Sequence, residues 1–146
     1  MAVTVKKVVL YRRDIENKPG TLAETLKPFA KNSINLQLIM GYTMGPQGPG
    51  AVEVFPVTDA KSEAAAKEAG LKPSKDTHCL LVEGEDRPGL GHEITQAIGA
   101  EGVNLHFVML FALSGKFTGV FGVGTEAEAT ATAKVIEKVG SLAHHH

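Results

Sequence analysis

Apolar and polar positions change their spacing several times along the chain, and each change predicts an element. Val5 to Tyr11 is a β-branched run that reads as a strand. Asn17-Lys18-Pro19-Gly20 is turn chemistry. From Thr21 to Lys31 the residues Leu22, Leu26, Phe29 and Ala30 form one apolar face at helical spacing. Pro28 falls inside that helix and is expected to remove one backbone bond and kink it. Asn32-Ser33 ends the helix, and Ile34 to Met44 is expected as a long strand. Gly45-Pro46-Gln47-Gly48-Pro49-Gly50 is a hairpin loop, and Ala51 to Val57 returns as a strand. Asp59 is placed to cap a second helix, Ala60 to Ala69, that stops at Gly70. Residues 71–75 form a connector with room for a short fourth strand.

The pattern then repeats. Glu16-Asn17-Lys18-Pro19-Gly20 and Glu85-Asp86-Arg87-Pro88-Gly89 lie 69 positions apart. The same offset carries Asn35-Leu36 onto Asn104-Leu105 and Met40 onto Met109. Held without a gap from Glu16 to Val54, it describes one unit built twice. Thr77 to Glu83 is a strand, Leu90 to Ala100 a helix, and Asn104 to Leu113 and Phe117 to Val123 are strands. A last helix, Glu126 to Val139, opens on a capping box formed by Thr125 and Glu128. Ala97 stands where the first unit has Pro28, so the architecture does not need the proline. Little follows Gly140, so the second unit is expected to lack its fourth strand unless a neighbour supplies one. The expected boundaries are 1–75, 76–140 and a tail, 141–146, ending in His144-His145-His146, the remnant of a purification tag.

Strand, helix, strand, strand, helix, strand implies an α+β protein: two ferredoxin-like βαββαβ units in tandem, each an antiparallel sheet with helices on one face. In that topology the second strand of each unit lies at an edge. Both are long and apolar, which invites aggregation unless they pair with each other or with a second chain. One extended sheet through both units is the expectation.

Composition narrows the function more than the fold. The formal net charge is −1 and the pI about 6.6, without the basic excess of a nucleic-acid binder. The longest apolar stretch, Phe107 to Leu113, is far too short to span a membrane. Cys79 is the single cysteine and is expected to be buried, which suits a reducing cytoplasm. His92 and His106 make no helical His-x-x-x-His or Cys/His ligand set, so neither metal nor cofactor is expected. His92 is read as a surface residue and His106 as half-buried.

Asp86-Arg87-Pro88-Gly89-Leu90 before a helix, then Gly102-Val103-Asn104-Leu105, strongly resembles the ACT domain. Asn17-Lys18-Pro19-Gly20 with Ser33-Ile34-Asn35-Leu36 is a close second copy, so the resemblance covers about residues 5–75 and 76–140. It implies a regulatory module that binds small ligands, usually amino acids, commonly where two such modules lie side by side. In the branch that senses serine at the end of a biosynthetic dehydrogenase, one ligand contact is an Asn two residues before the Pro-Gly. Another is an Asn at the start of the following strand. Asn17, Asn35 and Asn104 match those positions, and Asp86 replaces the first Asn in the second unit. That branch also uses a His two residues before its first Asn, where this chain has Ile15 and Gly84.

Physical chemistry points to the same corner. A helix start leaves backbone N–H groups unpaired, and its dipole favours an anion by about 0.3–1 kcal/mol. Gly20, Gly89 and Gly91 carry no side chain to keep a ligand off the backbone, and Asp86 could hold an ammonium. The candidate ligand residues are Asn17, Lys18, Gly20, Thr21, Leu22 and Asn35 in the first unit. In the second they are Asp86, Arg87, Gly89, Leu90, Gly91 and Asn104. The simpler reading is that Pro and Gly only build turns, that the Asn side chains bond local backbone, and that Asp86 caps a helix or pairs with Arg87. The function expected is therefore a non-catalytic sensor of an amino acid or similar metabolite, a homodimer with a possible partner enzyme. A small enzyme, a metal carrier and an assembly module without a ligand are the alternatives.

Overall fold

The computed structural model describes residues 3–142. In chain order the elements are β1 (Thr4–Val8), β2 (Tyr11–Ile15), α1 (Thr21–Lys31), β3 (Leu38–Thr43), β4 (Gly50–Phe55) and α2 (Ala60–Glu68). They continue with β5 (Lys72–Pro73), β6 (His78–Glu85), α3 (Leu90–Ala100), β7 (Phe107–Leu113), β8 (Lys116–Val123) and α4 (Glu126–Leu142). Two units result: a first from Val9 to Ser74, and a second made of the residues up to Val8 with those from Lys75 onward. Helix α4 runs on to Leu142, past the end expected at Val139 and into the expected tail 141–146, whose remaining residues, with the histidines, lie outside the described ones.

The first unit is an antiparallel sheet in the order β3-β4-β2-β5. Its core gathers Phe29 of α1, Val52 and Val54 of β4, and Ala65, Ala66 and Ala69 around α2. The connector expected to hold room for a fourth strand does form one: β5 pairs with Tyr11 and Arg12. Helix α1 runs through Pro28 for the same eleven residues as α3, so the proline does not break it. At its end Ser33 adopts φ 55°, and Ile34 N–H donates to Phe29 O while Ser33 N–H donates to Ala30 O. That is a Schellman turn, built in α3 on Gly102, the residue type the left-handed position favours. The turn uses up residues 32–34, so β3 starts at Leu38 rather than at Ile34 as expected. Helix α2 opens with the full capping box of Asp59 and Ser62.

The second unit has the order β1-β6-β8-β7. The fourth strand expected to be missing is present, and the chain's own N-terminal segment supplies it. β1 pairs antiparallel with β6, Val5 facing Val82. The single strand expected from Val5 to Tyr11 is therefore two strands in two sheets, parted at Val9-Leu10. Two glycines make room for the incoming strand. A Cβ on Gly84 would lie 2.6 Å from Val3 Cγ1, and one on Gly140 2.4 Å from Val3 Cγ2. Val3 joins the core of Leu80, Val82, Ile94, Phe121 and Ile136. On the surface Lys7 Nζ bonds Glu126 Oε1 and, at 2.8 Å, Thr130 Oγ1, which fastens β1 to α4.

Two further expectations change. The strands fall into two separate sheets, so the one extended sheet does not form among the described residues, and β3 and β7 are each an edge. The constant offset also fails at the hairpin. Ile39 faces Val54, whereas its counterpart Val108 faces Phe121, so the second hairpin loop is shorter by two residues.

Candidate ligand site

Each unit turns from its first strand into its first helix through a Pro-Gly corner. Thr21 N–H reaches Lys18 O at 3.4 Å and Leu90 N–H reaches Arg87 O at 3.3 Å, which closes a turn around Pro19-Gly20 and Pro88-Gly89. Gly20 has φ 89° and Gly89 φ 84°, values that type II turns demand of their third residue. A Cβ at either position would meet nothing within 4 Å, so these glycines serve the backbone angle and leave open space beside it. Neither helix start carries a side-chain cap. The next N–H groups of the first turn have no intrahelical acceptor.

A groove opens beside each corner, between the end of the first strand and the hairpin loop. In the first unit it measures about 470 Å³ and is lined by Asp14, Glu16, Asn17 and Gln47, with Pro46 and Pro49. In the second it measures about 480 Å³ and is lined by Thr4, Glu83, Glu85, Ser114, Lys116 and Thr118. Each groove thus carries two carboxylates, which suit the ammonium end of a ligand.

The amides decide between the ligand reading and the simple one. Asn17, Asn35 and Asn104 are exposed, and among the described residues none of their side chains makes a hydrogen bond. They are not consumed by local backbone. Asp86 is likewise exposed and unpaired in its side chain, because Arg87 turns to Glu93 instead, with Nη1 3.1 Å from Oε1. Lys18 pairs with Glu16 at 3.3 Å. Thr21 is buried, its hydroxyl donating to Glu16 O and, at 2.8 Å, to Lys18 O; it holds the turn closed. Leu90 is 2% exposed and belongs to the core, so its side chain does not face the corner.

Leu22 and Gly91 occupy equivalent places and do opposite things. Leu22 leans over Gly41 of β3, its Cδ2 3.8 Å from where a Cβ would stand. At the matching contact Gly91 makes way for Leu110 of β7, whose Cδ1 lies 3.3 Å from where a Cβ on Gly91 would stand. Gly84, where the serine-sensing pattern has His, has no space for any side chain beside Val3. His106 is exposed rather than half-buried, with Nε2 3.0 Å from where a Cβ on Gly124 would stand. His92 is exposed and Cys79 is 3% exposed.

The structure also separates what the sequence placed in one group. Asn17 precedes α1 and Asn35 follows it; Asp86 and Asn104 flank α3 in the same way. Eleven helical residues span about 16 Å, so the corner and the amide of one unit stand at opposite ends of its helix. One small molecule cannot touch both.

Two antiparallel sheets of matching strand order, each with helices and an uncapped Pro-Gly corner, define a tandem α+β protein of the ferredoxin-like type. The ACT-domain family model matches residues 14–69, so the chain carries an ACT domain in its first unit, and the second unit repeats its fold. A search of the curated proteins finds no match. Among solved structures, protein BT0572 from Bacteroides thetaiotaomicron is similar with TM-score 0.72 and 19% identity, over 89% of this chain and 88% of that one. The ligand-free regulatory subunit of aspartate kinase from Thermus thermophilus aligns with TM-score 0.64 and 16% identity, over 95% and 97%. Aspartokinase III of E. coli, in complex with aspartate and ADP, aligns with TM-score 0.56 and 16% identity, over 95% of this chain but 32% of that enzyme. At these identities the likeness is one of fold. No helix among the described residues is long and apolar enough to cross a membrane.

Proposed function

We propose that the chain is a non-catalytic regulatory protein that binds an amino acid or a similar small zwitterion. The corner of one ACT-like unit holds one end of the ligand, and the strand-start Asn of a neighbouring unit holds the other. The observation that carries this reading is the division of unbonded polar groups between opposite ends of α1 and α3. Backbone donors with Asn17 or Asp86 sit at one end, and Asn35 or Asn104 at the other. A complete set for one ligand then requires two modules, which supports a homodimer, and the absence of a membrane-crossing helix among the described residues is compatible with a cytoplasmic setting. The fold shared with a regulatory subunit of aspartate kinase supports control of a partner enzyme. Ligands sensed at micromolar to millimolar concentration need only about 4–8 kcal/mol, within reach of two or three charge-assisted bonds.

Calorimetric titration of the protein with the common amino acids tests the proposal. A saturable response to one or a few is expected, weakened at least tenfold by Asn35→Ala or Asn104→Ala, since each removes a bond of roughly 1.5 kcal/mol or more to a charged group. A flat response across the whole panel from folded protein would count decisively against it.

A further inference from the structure

We propose that the first unit carries a second ligand site, unrelated to the corner, that binds a phosphate group. It is a cleft of about 390 Å³ on the helical side of the sheet, between α1 and the end of α2. Arg13 of β2 reaches it from below, and Lys27 and Lys31 of α1 stand at its rim with Glu24 and Glu68.

Arg13 is the anomaly that makes the cleft worth noticing. It faces Val52 in the strand register, so its side chain starts on the core side of the sheet. From there the guanidinium uses one nitrogen internally: Nη1 lies 3.2 Å from Thr25 Oγ1 and 3.2 Å from Ala69 O. The second of these bonds satisfies the carbonyl of Ala69, the C-cap of α2, which the Schellman turn at Gly70 leaves open. Among the described residues Nε and Nη2 donate to no protein atom, and no carboxylate lies within ion-pairing distance of Arg13 or Lys27. A half-buried guanidinium with two parallel N–H groups free presents the fork that grips two oxygens of one anion. Glu68 is already held by Lys31 at 3.1 Å, so the cleft keeps a positive excess.

The repeat supplies an internal control. The positions of Arg13, Thr25, Lys27 and Lys31 correspond in the second unit to Val82, Ile94, Gln96 and Ala100. There the same backbone is built with Val82 and Ile94 fully buried in an apolar core. The fold therefore does not need an arginine at this place, and all three cations are replaced together in the second unit by Val82, Gln96 and Ala100. A coordinated gain of three cations around one opening is what a site for a small, highly charged anion requires. Phosphate fits best, because it offers two oxygens to the Arg13 fork and a second negative charge to Lys27.

The test is a titration of the full, isotope-labelled chain with inorganic phosphate, against sodium chloride at equal ionic strength, followed by the amide resonances of Thr25 and Gly70. A parallel titration with glycerol phosphate distinguishes free phosphate from a phosphate carried on a metabolite, and either supports the site. Saturable shifts of both resonances are expected, with binding weakened about tenfold or more by Lys27→Glu and by Arg13→Lys, which keeps the charge but loses the fork. Lys27 is exposed, so that variant leaves the core intact. Resonances that stay still, or shifts that survive both substitutions, would overturn the proposal. Neither outcome touches the amino-acid reading, whose residues lie elsewhere.

Discussion

Glu53 is a carboxylate on a central strand with only 5% of its surface exposed, and it carries the sharpest energetic prediction. Its Oε2 accepts a 2.8 Å hydrogen bond from the phenol of Tyr42 on the edge strand β3. Arg12, its neighbour in register, lies over the Tyr42 ring at 6.0 Å and spends its side-chain bonds on Asp14. Tyr42→Phe removes that donor without changing the ring. A hydrogen bond to a charged acceptor is worth about 1.5–3 kcal/mol, and the buried carboxylate left behind has no water to replace it fully. Tyr42 itself is only half-buried, so some water enters, and about 1.5–2 kcal/mol is expected. Because two units need not unfold together, native-state hydrogen exchange at Val52 and Val54 is the appropriate measure. Absorbance titration gives an independent check. Burial, then the bond to Glu53 and its negative charge, push the Tyr42 phenol up to about 12 from the usual 10.0. A raised folded value means the stabilisation is complete below pH 10 and is lost as the pH rises through 12. The phenolate step near pH 12 should vanish in Tyr42→Phe. A loss below about 0.5 kcal/mol, the range of ordinary surface changes, would refute the reasoning.

Ser33→Gly should raise the stability of the first unit by about 1 kcal/mol, since Ser33 holds the left-handed position that Gly102 fills in the second; unchanged exchange in α1 would contradict this. Gly140→Ala should cost about 1–3 kcal/mol by driving a methyl into Val3 and lifting β1 from its sheet, visible as faster exchange along β6 and not in the first unit. Glu126 is held below the usual glutamate range by its hydrogen bond to Lys7 and by the lysine's charge, with a smaller contribution from His78. A lowered folded value gives stabilisation present above the unfolded value and lost as the pH falls through the folded one. The acid limb of β1 detachment should therefore flatten in Glu126→Gln, as read by the resonances of Thr4 to Val8.

Much of this fold was legible because local chemistry and tertiary need agree. The helix from Leu90 to Ala100 matches residue for residue, since Gly89 starts it and Gly102 stops it. Asp59 and Gly70 bound α2 for the same reason. What was not legible depends on partners distant in sequence. Nothing in Val5 to Tyr11 announces that it will be cut in two and shared between sheets; that follows from the open edge of β6, seventy-odd residues away. Gly84 and Gly140 carried the signal, as glycines that lie inside a strand and a helix, near their ends, and make no turn. At the site, the Pro-Gly corners and the exposed Asn residues stood out as types. That Thr21 and Leu90 turn inward, and that the corner and the amide lie a helix length apart, are facts of packing. Arg13 could have been suspected, since a cation interrupts an apolar strand where the repeat has Val82.

The differences between the units bear most directly on function. Their backbones agree in strand order, in corner geometry and in the length of the first helix, so side chains that differ at these places are not demanded by the fold. At the helix–strand contact, bulk has moved from the helix (Leu22 over Gly41) to the strand (Leu110 over Gly91), which reshapes the wall of the corner without changing its volume of side chain. Asn17, a donor and acceptor, has become Asp86, an acceptor only. The groove that holds Asn17 and Gln47 in one unit holds Ser114 and Lys116 in the other. Two corners so altered cannot share one selectivity. A ligand that depends on the donor N–H₂ of Asn17 loses a bond at Asp86, and one with a free ammonium gains a charge partner there. If both corners are occupied, they are therefore occupied with different affinities, and a two-step titration curve is the form in which that inequality will appear.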